Sequence, residues 1–157
     1  ARQSSDEPLV SISLASLVQE SLDLCRARLR TSGVSVLVDA KTPLEVRGRA
    51  IELSQVLVNL INNGFDAVQT AEDKWLRIAV TEGPHAMAEI SVEDSGPGVP
   101  GDLAERIFEP FVTTKPAGAG TGLGLSISRS IIERLGGTLT LDRAGPFTRF
   151  VVALPRC

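Results

Sequence analysis

The segment from Asp94 to Leu125 constrains the fold of this chain most, because three distinctive stretches follow one another in it: DSGPGVP, IFEPFVTTK and GAGTGLGLSIS. The first glycine cluster follows a strand pattern and precedes no long helix, whereas the last leads directly into a helix. A Rossmann dinucleotide site needs a helix that starts at its first glycine cluster, so the pattern argues against that fold. The phosphate loop G-x-x-x-x-G-K-S/T is also absent, which argues against a Walker-type ATPase.

A polar stripe crosses the otherwise apolar segment just upstream, VLVNLINNGFDAV. Gln55, Asn59, Asn63 and Asp66 are spaced four, four and three residues apart, which places them on one face of a helix. Amide and carboxylate groups are costly to bury without partners. The stripe is therefore expected to face water, to form bonds within itself, or to face a ligand.

Composition predicts one globular domain, because 157 residues lie near the modal domain size. A net charge of −3 without any Lys/Arg-rich run argues against a nucleic-acid partner. No apolar stretch approaches the roughly 18 residues of a membrane helix, and no signal peptide begins the chain, so we expect a soluble fragment. The use of cysteine fits a reducing, cytoplasmic compartment. Cys25, on a predicted apolar helix face, and the terminal Cys157 do not form a disulfide framework.

Hydrophobic periodicity and turn residues predict the following elements. Strands are expected at 10–13, 34–40, 44–48, 76–83, 86–94, 138–142 and 148–155. Helices are expected from Leu14, capped by Ser13, to a stop at Gly33, and at 50–69, 103–108 and 122–135. This order predicts an α/β (α+β) two-layer sandwich, in which three helices cover one face of a mixed, mostly antiparallel sheet.

Together, the polar helix and the three stretches after it resemble the N, G1, F and G2 boxes of the catalytic ATP-binding domain of sensor histidine kinases. That domain belongs to the GHKL superfamily and has the Bergerat fold, shared with the gyrase, Hsp90 and MutL ATPases. The resemblance covers roughly residues 10–155. It implies that the chain binds Mg-ATP and acts as a protein-histidine kinase.

The resemblance also assigns site residues. In the N box, Asn63 is the Mg²⁺ ligand, and an amide oxygen suits this hard cation. In the G1 box, Asp94 accepts a hydrogen bond from the adenine amino group, supported by Thr148. The full nucleotide-binding set is Asn59, Asn63, Asp66, Asp94, Gly96, Gly98, Val99, Phe111, Thr114, Lys115, Gly120, Thr121, Gly122, Leu123, Gly124, Leu125 and Thr148.

The resemblance gives the catalytic roles to Asn59 and Lys115. Asn59 occupies the place of a water-activating glutamate in the related ATPases, and an amide cannot act as a general base at neutral pH. This favours transfer to another acceptor, such as a neutral imidazole, over hydrolysis. Lys115, in the lid stretch 112–120, is either the cation that reaches the β- or γ-phosphate or a solvated loop lysine. Asp66 is expected to bond with the turn of the lid.

No acceptor motif of the H-E-x-x-x-P type is present, and the sole histidine, His85, lies in a predicted hairpin turn. The resemblance therefore implies a catalytic fragment without its phosphoacceptor, in which residues 1–8 are a linker remnant and residues 9–157 form the catalytic domain. Its expected partners are an upstream histidine-containing helical dimerisation domain and a response regulator receiver domain. We expect the fragment itself to be monomeric. A membrane anchor in the parent protein stays an open alternative.

Two other functions stay open at this point. A degenerate module that binds nucleotide without phosphotransfer is compatible with the missing acceptor histidine. A hydrolase of the gyrase or MutL kind is disfavoured by Asn59.

Overall fold

The computed structural model describes residues 7–113 and 122–157. Its strands are β1 (Val10–Ser13), β2 (Ser35–Asp39), β3 (Glu45–Gly48), β4 (Trp75–Gly83), β5 (Met87–Asp94), β6 (Thr138–Asp142) and β7 (Thr148–Pro155). Its helices are α1 (Leu14–Leu24), α2 (Arg26–Ser32), α3 (Ala50–Ala67), α4 (Gly101–Ala104) and α5 (Gly124–Arg134).

Five strands form a mixed sheet in the order β2-β4-β5-β7-β6. Strand β2 pairs with β4 in parallel, and the other neighbours pair antiparallel. Strands β1 and β3 form a separate antiparallel pair. The predicted mixed, mostly antiparallel sheet is thus confirmed, although two of the predicted strands lie outside it.

One face of the sheet carries the core. Along β4, Leu76, Ile78 and Val80 are buried while Arg77 and Thr81 are exposed, as the alternation of side chains along a strand requires. Helices α1, α3 and α5 each contact this sheet. Their apolar stripes and the inward strand residues form one cluster, which confirms the predicted two-layer arrangement.

Each of the predicted helices differs from the structure in its bounds; α3 ends at Ala67 instead of Gln69, and the other three helices change as follows. The first helix breaks at Cys25, whose backbone leaves the helical region at φ −99° and ψ 9°. Beyond this break no residue of α2 is fully buried, and Leu29 is only partly buried against the core. The third long helix starts at Gly124, because Gly122 has a left-handed φ of +73° that an α-helix does not accept. The short helix is α4, which ends four residues before Phe108.

The predicted hairpin turn is confirmed and is conformationally demanding. His85 and Ala86 have φ values of 60° and 58°, and the Met87 N–H donates to Pro84 O at 3.3 Å. Two central residues with positive φ define a type I′ turn, which favours Asn-Gly. We expect Ala86→Gly to raise the free energy of unfolding by about 1 kcal/mol in urea titrations. Ala104→Gly, in right-handed helix α4, is the control and should have the opposite sign.

The close approach of β6 and β7 makes a glycine necessary at position 137. A Cβ there would lie 2.1 Å from the backbone carbonyl oxygen of Ala153, which no side-chain rotation can relieve. We expect Gly137→Ala to lower the free energy of unfolding by about 1–3 kcal/mol. Gly145→Ala is the matched control, because nothing lies within 4 Å of its Cβ position. Equal stability of the two variants in urea would contradict the close approach.

Candidate nucleotide site

The polar stripe of α3 meets the start of α5. The Asn59 Nδ2 donates to Ser128 Oγ at 3.2 Å, and Ser128 is 2% exposed. A Cβ on Gly124 would lie 2.3 Å from Asn59 Oδ1, so this glycine makes room for the amide. The predicted N and G2 residues are thereby brought together. Backbone N–H groups at the start of α5 can bind an anion there, because the first turn of a helix has no internal acceptors for them.

Asp94 ends β5 in a buried position. Its side chain is 3% exposed, and its Oδ1 accepts from the Gly96 N–H at 2.9 Å. Burial raises the pKa of this carboxyl to about 6, neighbouring Glu93 adds to the rise, and the Gly96 N–H opposes it. Thr148, 7% exposed, is directly opposite Asp94 in the register of β5 and β7. The two residues are therefore neighbours across the sheet, and the support of Thr148 for adenine binding stays a prediction.

The turn after Asp94 packs against the end of α3. A Cβ on Gly96 would lie 2.6 Å from the carbonyl oxygen of Ala67. Gly98 adopts a left-handed φ of +87° with open space around it. Ser95 anchors the turn, because its Oγ accepts from the Trp75 N–H at 2.9 Å. The turn is thus fixed on both sides, and open space remains beside Gly98.

The F stretch contacts the segment that leads into α5. The Phe111 N–H donates to Gly122 O at 2.8 Å, and a Cβ on Gly122 would lie 2.4 Å from the Phe111 backbone. Phe111 itself is 74% exposed and has a φ of 68°. Phe108 instead packs edge-on against Phe150, with a centroid distance of 6.1 Å. The two aromatic residues therefore have different surroundings, one at the surface and one against the core.

Apart from Asp66, the remaining predicted residues fall into two groups. Asn63, Val99, Leu123 and Leu125 are half-buried on α3, in the loop after Gly98 and at the start of α5. Thr114, Lys115, Gly120 and Thr121 lie outside the described residues, so their roles stay predictions.

Asp66 has a partner that the sequence did not suggest. Arg28 of α2 donates to the Asp66 carboxylate and to Asn62 Oδ1, the latter at 3.1 Å. The Arg28 guanidinium also lies 5.3 Å from the centroid of the Phe65 ring. The expected bond between Asp66 and the lid turn concerns residues outside the described ranges and stays a prediction.

Ser128 was also missed by the sequence analysis. Its spacing of four residues from Gly124 was the available signal, because residues i and i+4 share a helix face.

The donors at this site suit a magnesium ion held mainly by a nucleotide. Within residues 7–113 and 122–157, no group of three His, Cys, Asp or Glu side chains could hold a metal ion. Asn63 is half-buried and lies one helical turn after Asn59 on α3. Mg²⁺ keeps several waters and takes few protein ligands besides phosphate oxygens, so a single amide oxygen is compatible with it.

Fold and site together define an ATPase-type nucleotide domain, and the chain belongs to the histidine kinase-, DNA gyrase B-, and HSP90-like ATPase family, which it matches over residues 48–157. Among solved structures, it superposes on the catalytic domain of histidine kinase ThkA with a TM-score of 0.83 and 31% identity. That match covers 96% of this chain and 99% of the ThkA chain.

Curated relatives are longer sensor proteins. The two-component sensor PprA of Pseudomonas aeruginosa is 39% identical over 142 residues, covering 86% of this chain and 15% of PprA. The C4-dicarboxylate transport sensor protein DctB of Rhizobium meliloti is 34% identical, covering 89% of this chain and 22% of DctB. The chain thus spans less than a quarter of either relative. None of the helices in the described part of the chain is long and apolar enough to cross a membrane.

Proposed function

We propose that this chain is the catalytic domain of a two-component sensor histidine kinase. It binds Mg-ATP and transfers the γ-phosphoryl group to a histidine on a separate helical dimerisation domain. A response regulator then takes the phosphoryl group from that histidine. The assignment of these partners rests on analogy with a similar protein. The histidine kinase ThkA, 29% identical over 95% of this chain, has been solved in complex with response regulator protein TrrA.

One observation carries the proposal: both glycine turns pack against the same helix. Gly96 lies against Ala67 at the end of α3, and Gly124 lies against Asn59 eight residues earlier. Eight residues correspond to about 12 Å along a helix axis. This separation supports a bound nucleoside triphosphate whose base is at Asp94 and whose phosphates are at the start of α5.

Each group at the site has a separate role in this arrangement. Asp94 accepts a hydrogen bond from the exocyclic amine of adenine, which gives selectivity over a purine with a carbonyl there. N–H groups of the first turn of α5 bind phosphate oxygens. When bound through Asn63, Mg²⁺ supplies positive charge that stabilises the transferring phosphoryl group. Asn59 is close to this end and cannot accept a proton, which favours transfer over hydrolysis.

Calorimetric titration with a non-hydrolysable ATP analogue, with and without Mg²⁺, tests the binding half of the proposal. We expect Mg²⁺ to strengthen binding by the wild-type chain, and this gain should be absent in Asn63→Ala. The matched control is Gln55→Ala, an exposed position on the same stripe of α3.

Radiolabelled ATP tests the transfer half, with the helical histidine-containing domain of the parent protein supplied in trans. We expect radiolabel to appear on that domain and to be absent when its histidine is replaced by alanine. Tight Mg-dependent binding without any label would instead support a module that only binds nucleotide.

A further inference from the structure

Besides the residues assigned above, one side chain forms a hydrogen bond with Asn59. Ser128 lies one turn after Gly124 on α5, and its Oγ accepts from Asn59 Nδ2 at 3.2 Å. The two residues are 69 positions apart in sequence. Ser128 is 2% exposed, so water does not compete for this hydroxyl as it would at the surface.

The amide of Asn59 is confined from two sides. Gly124 approaches so closely that a Cβ there would lie 2.3 Å from Oδ1 and 3.0 Å from Nδ2. Ser128 holds Nδ2, which leaves Oδ1 on the side of Gly124, at the start of α5. An Asn side chain without such contacts rotates freely about its terminal torsion, because that torsion is broad.

We infer that Ser128 is the positioning residue for Asn59 in phosphoryl transfer. It holds the amide of Asn59 toward the first turn of α5, where the phosphates are expected. This inference rests on the proposed function and assigns a residue to it. Because Asp94, Asn63 and the N–H groups of α5 carry nucleotide binding, loss of the Ser128 hydroxyl should slow transfer without weakening binding.

The test compares Ser128→Ala with Ser130→Ala, an exposed serine on the same helix. We expect Ser128→Ala to slow transfer to the helical domain about 3- to 10-fold, the range for loss of one hydrogen bond. Its Kd for the Mg-bound ATP analogue should stay within about twofold of the wild-type value. Ser130→Ala should match wild type in both the transfer rate and the Kd. Ser128→Thr, which keeps the hydroxyl, should recover most of the rate.

A double-mutant cycle separates positioning from a general structural effect. If Ser128 acts through Asn59, Ser128→Ala should cause no further loss in an Asn59→Ala background. An equal loss in both backgrounds would overturn the inference.

The side-chain amide signal of Asn59 in a ¹H–¹⁵N spectrum gives a readout that does not depend on activity. The signal, assigned by its absence in Asn59→Ala, should shift and exchange faster with water in Ser128→Ala and stay unchanged in Ser130→Ala. An unchanged signal in Ser128→Ala overturns the inference even if transfer is slowed. Absence of transfer by the wild type would count against the proposed function, and this spectrum would still decide whether Ser128 holds Asn59.

Discussion

Asp94→Asn is expected to weaken binding of an ATP analogue about 100-fold and to stabilise the nucleotide-free protein at pH 7.5. The binding loss follows from the bond that Asp94 already makes. Its Oδ1 accepts from the Gly96 N–H at 2.9 Å, and an asparagine would keep its only oxygen there. Its NH₂ group would then point at the amino group of adenine, so that two donors face each other.

The same geometry predicts a change in base preference. A purine with a carbonyl at this position, as in an inosine triphosphate analogue, would accept from the new NH₂ group. Titration of both analogues into wild type and Asp94→Asn measures this change. We expect the ratio of their affinities to shift toward inosine by about 100-fold or more. An unchanged ratio would contradict the assignment of Asp94 to base recognition.

The gain in stability follows from the pKa of Asp94, which burial raises from 3.8 to about 6. The folded state therefore holds this proton more tightly than the unfolded state, and wild-type stability falls as the pH rises from about 4 to about 6. A shift of this size corresponds to about 2–3 kcal/mol. An asparagine does not titrate and avoids this loss, so the variant should be more stable above pH 7 and similar to wild type near pH 4.

Urea unfolding at pH 4.5 and pH 7.5 measures this difference. The expected result is a free energy of unfolding for Asp94→Asn that exceeds the wild-type value at pH 7.5, and much less so at pH 4.5. Glu89→Gln is the control, because this carboxyl on the same strand is only half-buried. A variant that is less stable than wild type at pH 7.5 would mean that the ionised carboxylate of Asp94 stabilises the fold.

The sequence predicted the local features of the site because they depend on short-range rules. The polar stripe of α3 follows from helical spacing, and the positive φ of Gly98 occurs where a glycine cluster after β5 indicated a turn. The predicted helix stop at Gly33 is confirmed as the left-handed cap of α2, with a φ of 69°. The resemblance added the roles of Asp94 and Thr148, which share a position only through the register of β5 and β7.

Contacts between distant elements could not be predicted in this way. The break at Cys25 falls within a continuous apolar repeat, and the ion pair between Arg28 and Asp66 joins residues 38 positions apart. Gly64, which costs helix propensity, gains an explanation only from packing. A Cβ there would lie 2.5 Å from Leu76 Cδ2, so the glycine lets α3 approach β4.

Gly124→Ala is the second variant with a large expected effect, and it should separate folding from function. The first residue of α5 has a right-handed helical backbone that alanine adopts easily. The added Cβ would lie 2.3 Å from Asn59 Oδ1, at the far end of a side chain that can rotate away. Stability should change by less than about 1 kcal/mol, because a gain in helix propensity offsets the lost bond to Ser128.

Phosphoryl transfer should be affected far more, because the rotated amide of Asn59 no longer faces the start of α5. A displacement of about 1 Å at a reacting site can reduce a rate about 100-fold, and we expect a loss of that order in transfer to the helical domain. The Kd for the ATP analogue should change only a few-fold, since the backbone N–H groups of α5 remain. In an Asn59→Ala background, Gly124→Ala should cause no further loss, because the obstructing amide is gone. If Gly124→Ala transferred the phosphoryl group at the wild-type rate, the role of Asn59 would be contradicted. Equal losses of rate in the wild-type and Asn59→Ala backgrounds would mean that this glycine acts directly on the phosphates.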